Sequence, residues 1–172
     1  RQAEAHVTGQ TPEGGLLVEA SIFYATGGGQ PGDSGRSTWD GGAVDIATAV
    51  KAEGGQIALV PTEPVNFPPP GTVIHQTLDW NRRVSHMRVH TALHLLSVVI
   101  PLGVTGGAIS EGRGRLDFDM PDAPDDKPAL EAQLQEMIAR DLTVSEEGPL
   151  SIVISTSDQQ LVVLRNGQEV AR

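Results

Sequence analysis

Leu16-Leu17-Val18-Glu19-Ala20-Ser21-Ile22-Phe23-Tyr24 is an apolar, partly β-branched run with Gly14-Gly15 before it and Gly27-Gly28-Gly29 after it. A run this short, bounded by glycine turns, reads as a strand rather than a helix. The same style returns downstream in Val44-Asp45-Ile46-Ala47 and Gln56-Ile57-Ala58-Leu59-Val60. Trp39-Asp40-Gly41-Gly42 and Glu53-Gly54-Gly55 supply hairpin chemistry between these runs. Residues 1–75 are therefore expected to be β, in a small barrel or meander. Pro61, Pro64 and Pro68-Pro69-Pro70-Gly71 follow as an extended connector, because proline cannot donate to a ladder and restricts the residue before it. A boundary is predicted there, which makes residues 1–71 a glycine-rich β-barrel subdomain.

Beyond the connector the periodicity changes. Thr72 to Leu78 reads as a strand, and Asp79 can cap a helix from about Asn81 to Ile100, ended by Pro101 and Gly103. Met87, Leu95 and Val98, with Val84 and Thr91, recur at helical spacing. A glycine-rich segment, Gly103 to Ser110, leads into Arg115-Leu116-Asp117-Phe118-Asp119-Met120, whose alternation predicts a half-buried strand. A second helix is expected from about Lys127 to Arg140, capped near Asp125 with Pro128 in its first turn. Leu130, Leu134, Met137 and Ile138 share one of its faces. The fold class is α+β, with residues 72–147 as the second domain. From Gly148 the style changes again: Leu150 to Ser155 and Gln160 to Leu164 read as strands with Asn166-Gly167 as a turn signal, so residues 148–172 form a β-hairpin tail.

The chain has 172 residues, 38% of them hydrophobic, which is enough to build a core without staples, and it contains no cysteine. Disulfides, thiolate metal ligands and thiol catalysis are thereby excluded. The longest apolar stretch, Leu93 to Leu102, is interrupted by His94, Ser97 and Pro101 and falls far short of the ~20 residues that span a bilayer. Residues 1–20 lack a basic start followed by an apolar core, so no secretory signal is read and a cytoplasmic location is expected. A formal net charge of −10 opposes any general attraction to nucleic acid or anionic membrane. A polyanion would need a local patch. Arg82, Arg83 and Arg88, with Arg113 and Arg115, offer one, and the competing reading is arginines solvated beside nearby acids.

Three of the five histidines, His86, His90 and His94, fall at four-residue intervals on the first predicted helix. Neighbours four apart share a face with Cβ atoms ~5–6 Å apart, within reach of one metal ion through ring nitrogens at ~2.0–2.1 Å. His90-Thr91-Ala92-Leu93-His94 is therefore a candidate half-site for zinc. Imidazoles satisfied by local hydrogen bonds are the alternative. His86 sits a further turn away, and no Glu lies inside the pair, so the pattern is not the zincin motif. In Thr26-Gly27-Gly28-Gly29-Gln30-Pro31-Gly32-Asp33 three glycines permit close backbone approach and positive φ. The cluster lacks the Lys-Ser/Thr ending of a phosphate loop, and a tight turn is its plainest reading.

Taken in order, Phe23-Tyr24-Ala25-Thr26-Gly27-Gly28-Gly29-Gln30-Pro31-Gly32-Asp33-Ser34-Gly35 and Arg88-Val89-His90-Thr91-Ala92-Leu93-His94-Leu95-Leu96 resemble the alanyl-tRNA editing family. That family comprises free-standing AlaX-type proteins and the editing domain of alanyl-tRNA synthetase. The resemblance continues through Gly106-Gly107 and Arg113 to Asp119 and covers about residues 1–147. It implies a glycine-rich β-barrel followed by an α+β editing domain that hydrolyses the ester joining serine or glycine to tRNA(Ala). It implies His90 and His94 as ligands of Zn2+, and Gln30 and Thr26 as residues of the amino-acid pocket with catalytic duties. Thr26 could hydrogen-bond the serine hydroxyl that alanine lacks. Gly28 and Gly29, through close backbone approach, and Arg88, from the basic cluster, are expected to bind substrate.

The family completes its zinc site with a later Cys-x-x-x-His segment, whereas this chain has no cysteine and no histidine after His94. The editing domain is therefore expected to be incomplete at its C-terminus, with half a zinc site. Gly148 to Gly167 resembles instead the first hairpin of an L,D-transpeptidase domain, without the His and Cys that such an enzyme needs. Three readings stand: a trans-editing deacylase, active or inactivated by the missing ligands; a non-catalytic module that binds tRNA or an amino acid; and a fragment of a transpeptidase fusion. No sequence feature selects an oligomeric state.

Overall fold

The computed structural model describes residues 1–145, 150–155, 160–165 and 168–171. Alternation builds its largest sheet. In β1 (Gln2–Gln10) Ala5 and Val7 are buried between exposed neighbours, and in β6 (Val73–Leu78) Ile74, Gln76 and Leu78 are buried. β4 (Gly42–Lys51) buries Val44 and Ile46 and then Ala49, a change of parity. A register shift against β5 (Ile57–Pro61) falls between Ile46 and Thr48. One extra residue in a strand turns every later side chain to the other face, so the bulge keeps both halves of β4 pointing inward. With β2 (Leu16–Val18) and β3 (Gly35–Trp39), these strands close an antiparallel barrel in the order β1-β2-β5-β4-β3-β6. Its interior holds Leu16, Phe23, Ile46, Leu59 and Ile74, each no more than 2% exposed.

Two expectations are corrected here. The strand read across residues 16–24 ends at Val18. Beyond it the buried Gln76 carboxamide donates to the Ala20 carbonyl at 2.9 Å and accepts from Ser21 Oγ at 3.2 Å. Those bonds draw the chain off the ladder and let Phe23 plug the barrel. The proline segment, moreover, does not close off the barrel: β6 lies after it and pairs with both β1 and β3. An extended proline connector spans the barrel end as readily as it separates domains. The Asp40-Gly41 turn joins β3 to β4 as expected, with Gly41 at φ +89.

The described residues form two compact units, Arg1–His94 with Leu102–Met120, and Leu95–Pro101 with Pro121–Arg172. In the first unit α1 (Trp80–Val99) begins at the expected cap, the Arg82 amide donating to Asp79 Oδ1 at 3.1 Å. The glycine-rich segment is itself a strand, β7 (Val104–Ser110), paired with β8 (Arg113–Phe118). This hairpin meets α1 where the Gly112 amide donates to Ser85 Oγ at 3.0 Å. In the second unit α2 (Lys127–Ser145) starts where expected and runs five residues past Arg140, with the cap one residue later than Asp125, Asp126 Oδ1 accepting from the Ala129 amide at 3.0 Å. Leu130, Leu134, Met137 and Ile138 are its half-buried side chains up to Arg140, as its periodicity predicts. The tail carries β9 (Leu150–Ser155), β10 (Gln160–Arg165) and β11 (Gln168–Ala171) as an antiparallel sheet. The Asn166-Gly167 turn lies outside the described residues. Among the described residues no helix is long and apolar enough to cross a membrane.

Candidate functional site

The loop from Phe23 to Ser34 joins β2 to β3 and closes on itself through backbone bonds. Gly27 and Gln30 exchange amide-to-carbonyl bonds of 3.1 and 3.0 Å around Gly28 (φ +58) and Gly29 (φ +77). Two consecutive positive φ values define a turn that glycine adopts without strain. Gly29 has a second reason to be glycine. Its carbonyl accepts from the Ile109 amide at 2.7 Å, and a Cβ there would lie 2.5 Å from the Gly107 carbonyl oxygen.

Thr26 is committed within the same loop. Its hydroxyl donates to the Ala49 carbonyl at 3.1 Å and accepts from the Gly32 amide at 2.9 Å. A hydroxyl has one proton, so Thr26 can offer a substrate only its remaining lone pair. A serine hydroxyl would have to donate to it.

Gln30, only 6% exposed, points from the turn toward α1. Its Oε1 lies 3.2 Å from His90 Nδ1. A carboxamide oxygen can only accept, so the contact is a hydrogen bond in the tautomer that carries its proton on Nδ1, the one that leaves Nε2 to face a ligand. One turn further along the helix His94 stacks on His90, with ring centroids 4.8 Å apart and planes 11° apart. Burial, and then the neighbouring His90, hold His94 below its ordinary pKa. The same two effects favour the neutral His94 imidazole, the form that ligates a metal.

The structure thus brings Gln30, His90 and His94 together, with Thr26, Gly28 and Gly29 in the loop that carries Gln30. It does not bring Arg88 to them. Arg88 is two residues from His90, about 200° around the helix. It lies on an outer groove of about 540 Å³ with Trp80, Val84 and Gly112. The expected arginine patch is also divided. Arg83 Nε donates to Asp33 Oδ1 and Oδ2 at 2.9 and 2.8 Å, and a further bond joins Arg83 Nη2 to the same carboxylate. Arg82 Nη1 donates to the Gly32 carbonyl at 2.7 Å. Two of the three arginines therefore hold the glycine loop. Asp33, 1% exposed, is the functional residue the sequence reading passed over, although it stood inside the quoted motif. A buried carboxylate demands a cation, and Arg82-Arg83 opening a helix was the available signal.

A catalytic zinc usually keeps three protein ligands. His90 and His94 present two imidazoles, and no cluster of three His, Asp or Glu occurs among the described residues. These residues fit half of such a site and do not complete it.

A closed antiparallel barrel carrying a glycine-turn loop, laid against a helix with paired histidines, is the arrangement implied by the editing-family resemblance. The chain is homologous to alanyl-tRNA editing proteins of the AlaX-M kind. It is 38% identical over 114 residues to alanyl-tRNA editing protein AlaX-M of Pyrococcus horikoshii, a match covering 62% of this chain and 50% of that protein. The AlaX-M protein of Methanosarcina barkeri is 29% identical over 161 residues, covering 90% of this chain and 64% of the relative. A match of that coverage extends past residue 147. The alanine–tRNA ligase of Pyrococcus furiosus is 35% identical over 109 residues, covering 60% of this chain and 12% of the ligase. The chain therefore spans between half and under two thirds of these AlaX-M proteins. No family model matches it.

Proposed function

We propose that this chain is a trans-editing aminoacyl-tRNA deacylase that hydrolyses the ester of serine or glycine wrongly joined to tRNA(Ala). The contact between Gln30 and His90, with His94 stacked behind, carries the reading, since it joins the two motifs into one polar site. The AlaX-M and ligase relatives support tRNA as the partner. A cytoplasmic setting goes with that chemistry.

The aminoacyl ester is intrinsically reactive, so positioning and charge stabilisation supply the needed rate without a protein nucleophile. Gln30 orients His90 and leaves its Nε2 lone pair directed away from the amide. Thr26 accepts a hydrogen bond from a serine hydroxyl, and alanine forfeits that bond. Zinc at His90 and His94 is part of the proposal, as a charge that would orient the amino acid's polar groups. Two imidazoles are what this chain's described residues contribute to it.

Incubation with seryl-tRNA(Ala) tests the reading. Serine release that disappears in the His90→Ala, His94→Ala double variant is the expected result, and release no faster than in that variant overturns deacylation. The half-complete ligand set favours one second reading, a binding module that retains tRNA without hydrolysing it. Retention of seryl-tRNA on a filter without ester loss distinguishes it. Neutralising Arg88 alone is the appropriate control there, because Arg82 and Arg83 hold the loop.

A further inference from the structure

Four residues pair across the site in register: Gln30 with His90, and Asp33 with Arg83. Arg83 and His90 are seven residues apart on α1, which returns them to nearly the same face with a rise of about 10 Å. Gln30 and Asp33 are three residues apart, and three extended residues span about 10 Å. The two spacings match. The loop segment through Pro31 runs outside the turn and is free of helix or strand, with Pro31 favouring an extended path. It lies antiparallel to the helix and is gripped at both ends.

We infer that the Asp33–Arg83 ion pair is a positioning clamp that sets the Gln30–His90 contact, with Pro31-Gly32 as the spacer. The inference rests on reading Gln30, His90 and His94 as the site. Asp33 also accepts from the Tyr24 amide at 2.6 Å, and Arg83 Nη2 donates to the Ile22 carbonyl at 3.0 Å, so the pair ties both ends of the glycine turn to the helix. Arg82, bonded to the Gly32 carbonyl, braces the middle.

Stability alone is a poor account of such a pair. Burying two charges costs solvation that their attraction offsets only in good geometry, and apolar replacements are often neutral or better. The barrel has its own core of Leu16, Phe23, Ile46, Leu59 and Ile74. A guanidinium fork fixes angle as well as distance, whereas an ammonium fixes neither.

The test compares Arg83→Met and Arg83→Lys with the unaltered protein by amide hydrogen exchange. The hydrogen-bonded amides of Gly27, Gln30, Gly32 and Asp33 are expected to exchange at least tenfold faster in Arg83→Met and by a smaller factor in Arg83→Lys. Amides of Ala5, Val7, Ala49 and Leu59 are expected to accelerate several-fold less than the loop amides, by the global cost of leaving the Asp33 carboxylate unpaired. Loop and barrel amides accelerating by one common factor would make the pair a global stabiliser and overturn the inference, as would an unchanged loop. With seryl-tRNA(Ala), Arg83→Lys is expected to lower kcat about tenfold at nearly constant KM. If the unaltered protein releases no serine, the deacylase reading fails, and the exchange pattern still decides the clamp.

Discussion

His90 and His94 stack with ring centroids 4.8 Å apart and planes only 11° from parallel. Each ring is thus held beside the other, and the Gln30 contact engages Nδ1 of His90. Zinc offered to the metal-stripped protein should be retained through dialysis and lost on either His90→Ala or His94→Ala. Elemental analysis reads the result, and equal zinc in wild type and both variants would remove these residues as ligands.

His86, one turn before His90, is fully buried with neither ring nitrogen hydrogen-bonded. Burial, and then the positive charge of Arg82, push its pKa below 6.5, against smaller opposing effects of Asp33 and Glu111, with Arg83 adding to the lowering. The folded state therefore takes up this proton less readily than the unfolded chain. Stability is complete above about pH 6.5 and is lost as pH falls from there toward the depressed folded value. Urea midpoints between pH 8 and pH 5 should show this decline, and His86→Leu should flatten it while costing little at pH 8.

Gly29→Ala should destabilise by about 2 kcal/mol or more, combining a left-handed backbone with contact on the Gly107 carbonyl. Gly41→Ala, at φ +89 with open space around it, should cost about 1 kcal/mol from backbone strain alone. Equal costs in urea titrations would mean that the loop does not press on β7.

Leu59→Ala removes a fully buried side chain from the barrel interior. A loss of 2–5 kcal/mol is the expected range for such a cavity. A loss under about 1 kcal/mol in chemical denaturation would show a core that collapses around the gap.

Legibility followed the range of the interactions. Asp79 as a helix cap, Asp40-Gly41 as a hairpin turn and the half-buried face of α2 were readable because each depends on residues within a turn of one another. The early end of β2 was not, since Gln76 draws off that segment from 55 residues away along the chain. Nor was the face of α1 that packs. Its periodic apolar residues include Met87 and Val98, which are 49% and 59% exposed, while His86 is the buried one.

By itself the sequence determined the β-then-α order, the glycine turn, the histidine pair on one helix face and the kinship with alanyl-tRNA editing proteins. These are short-range patterns or residue identities, and they need no knowledge of what lies opposite. Only the tertiary structure decided that β6 closes the barrel beyond the prolines, that Gln30 meets His90, and that Arg83 serves Asp33 while Arg88 turns away. Each of those outcomes depends on which distant group offers a buried polar side chain its partner, and that choice is made by packing.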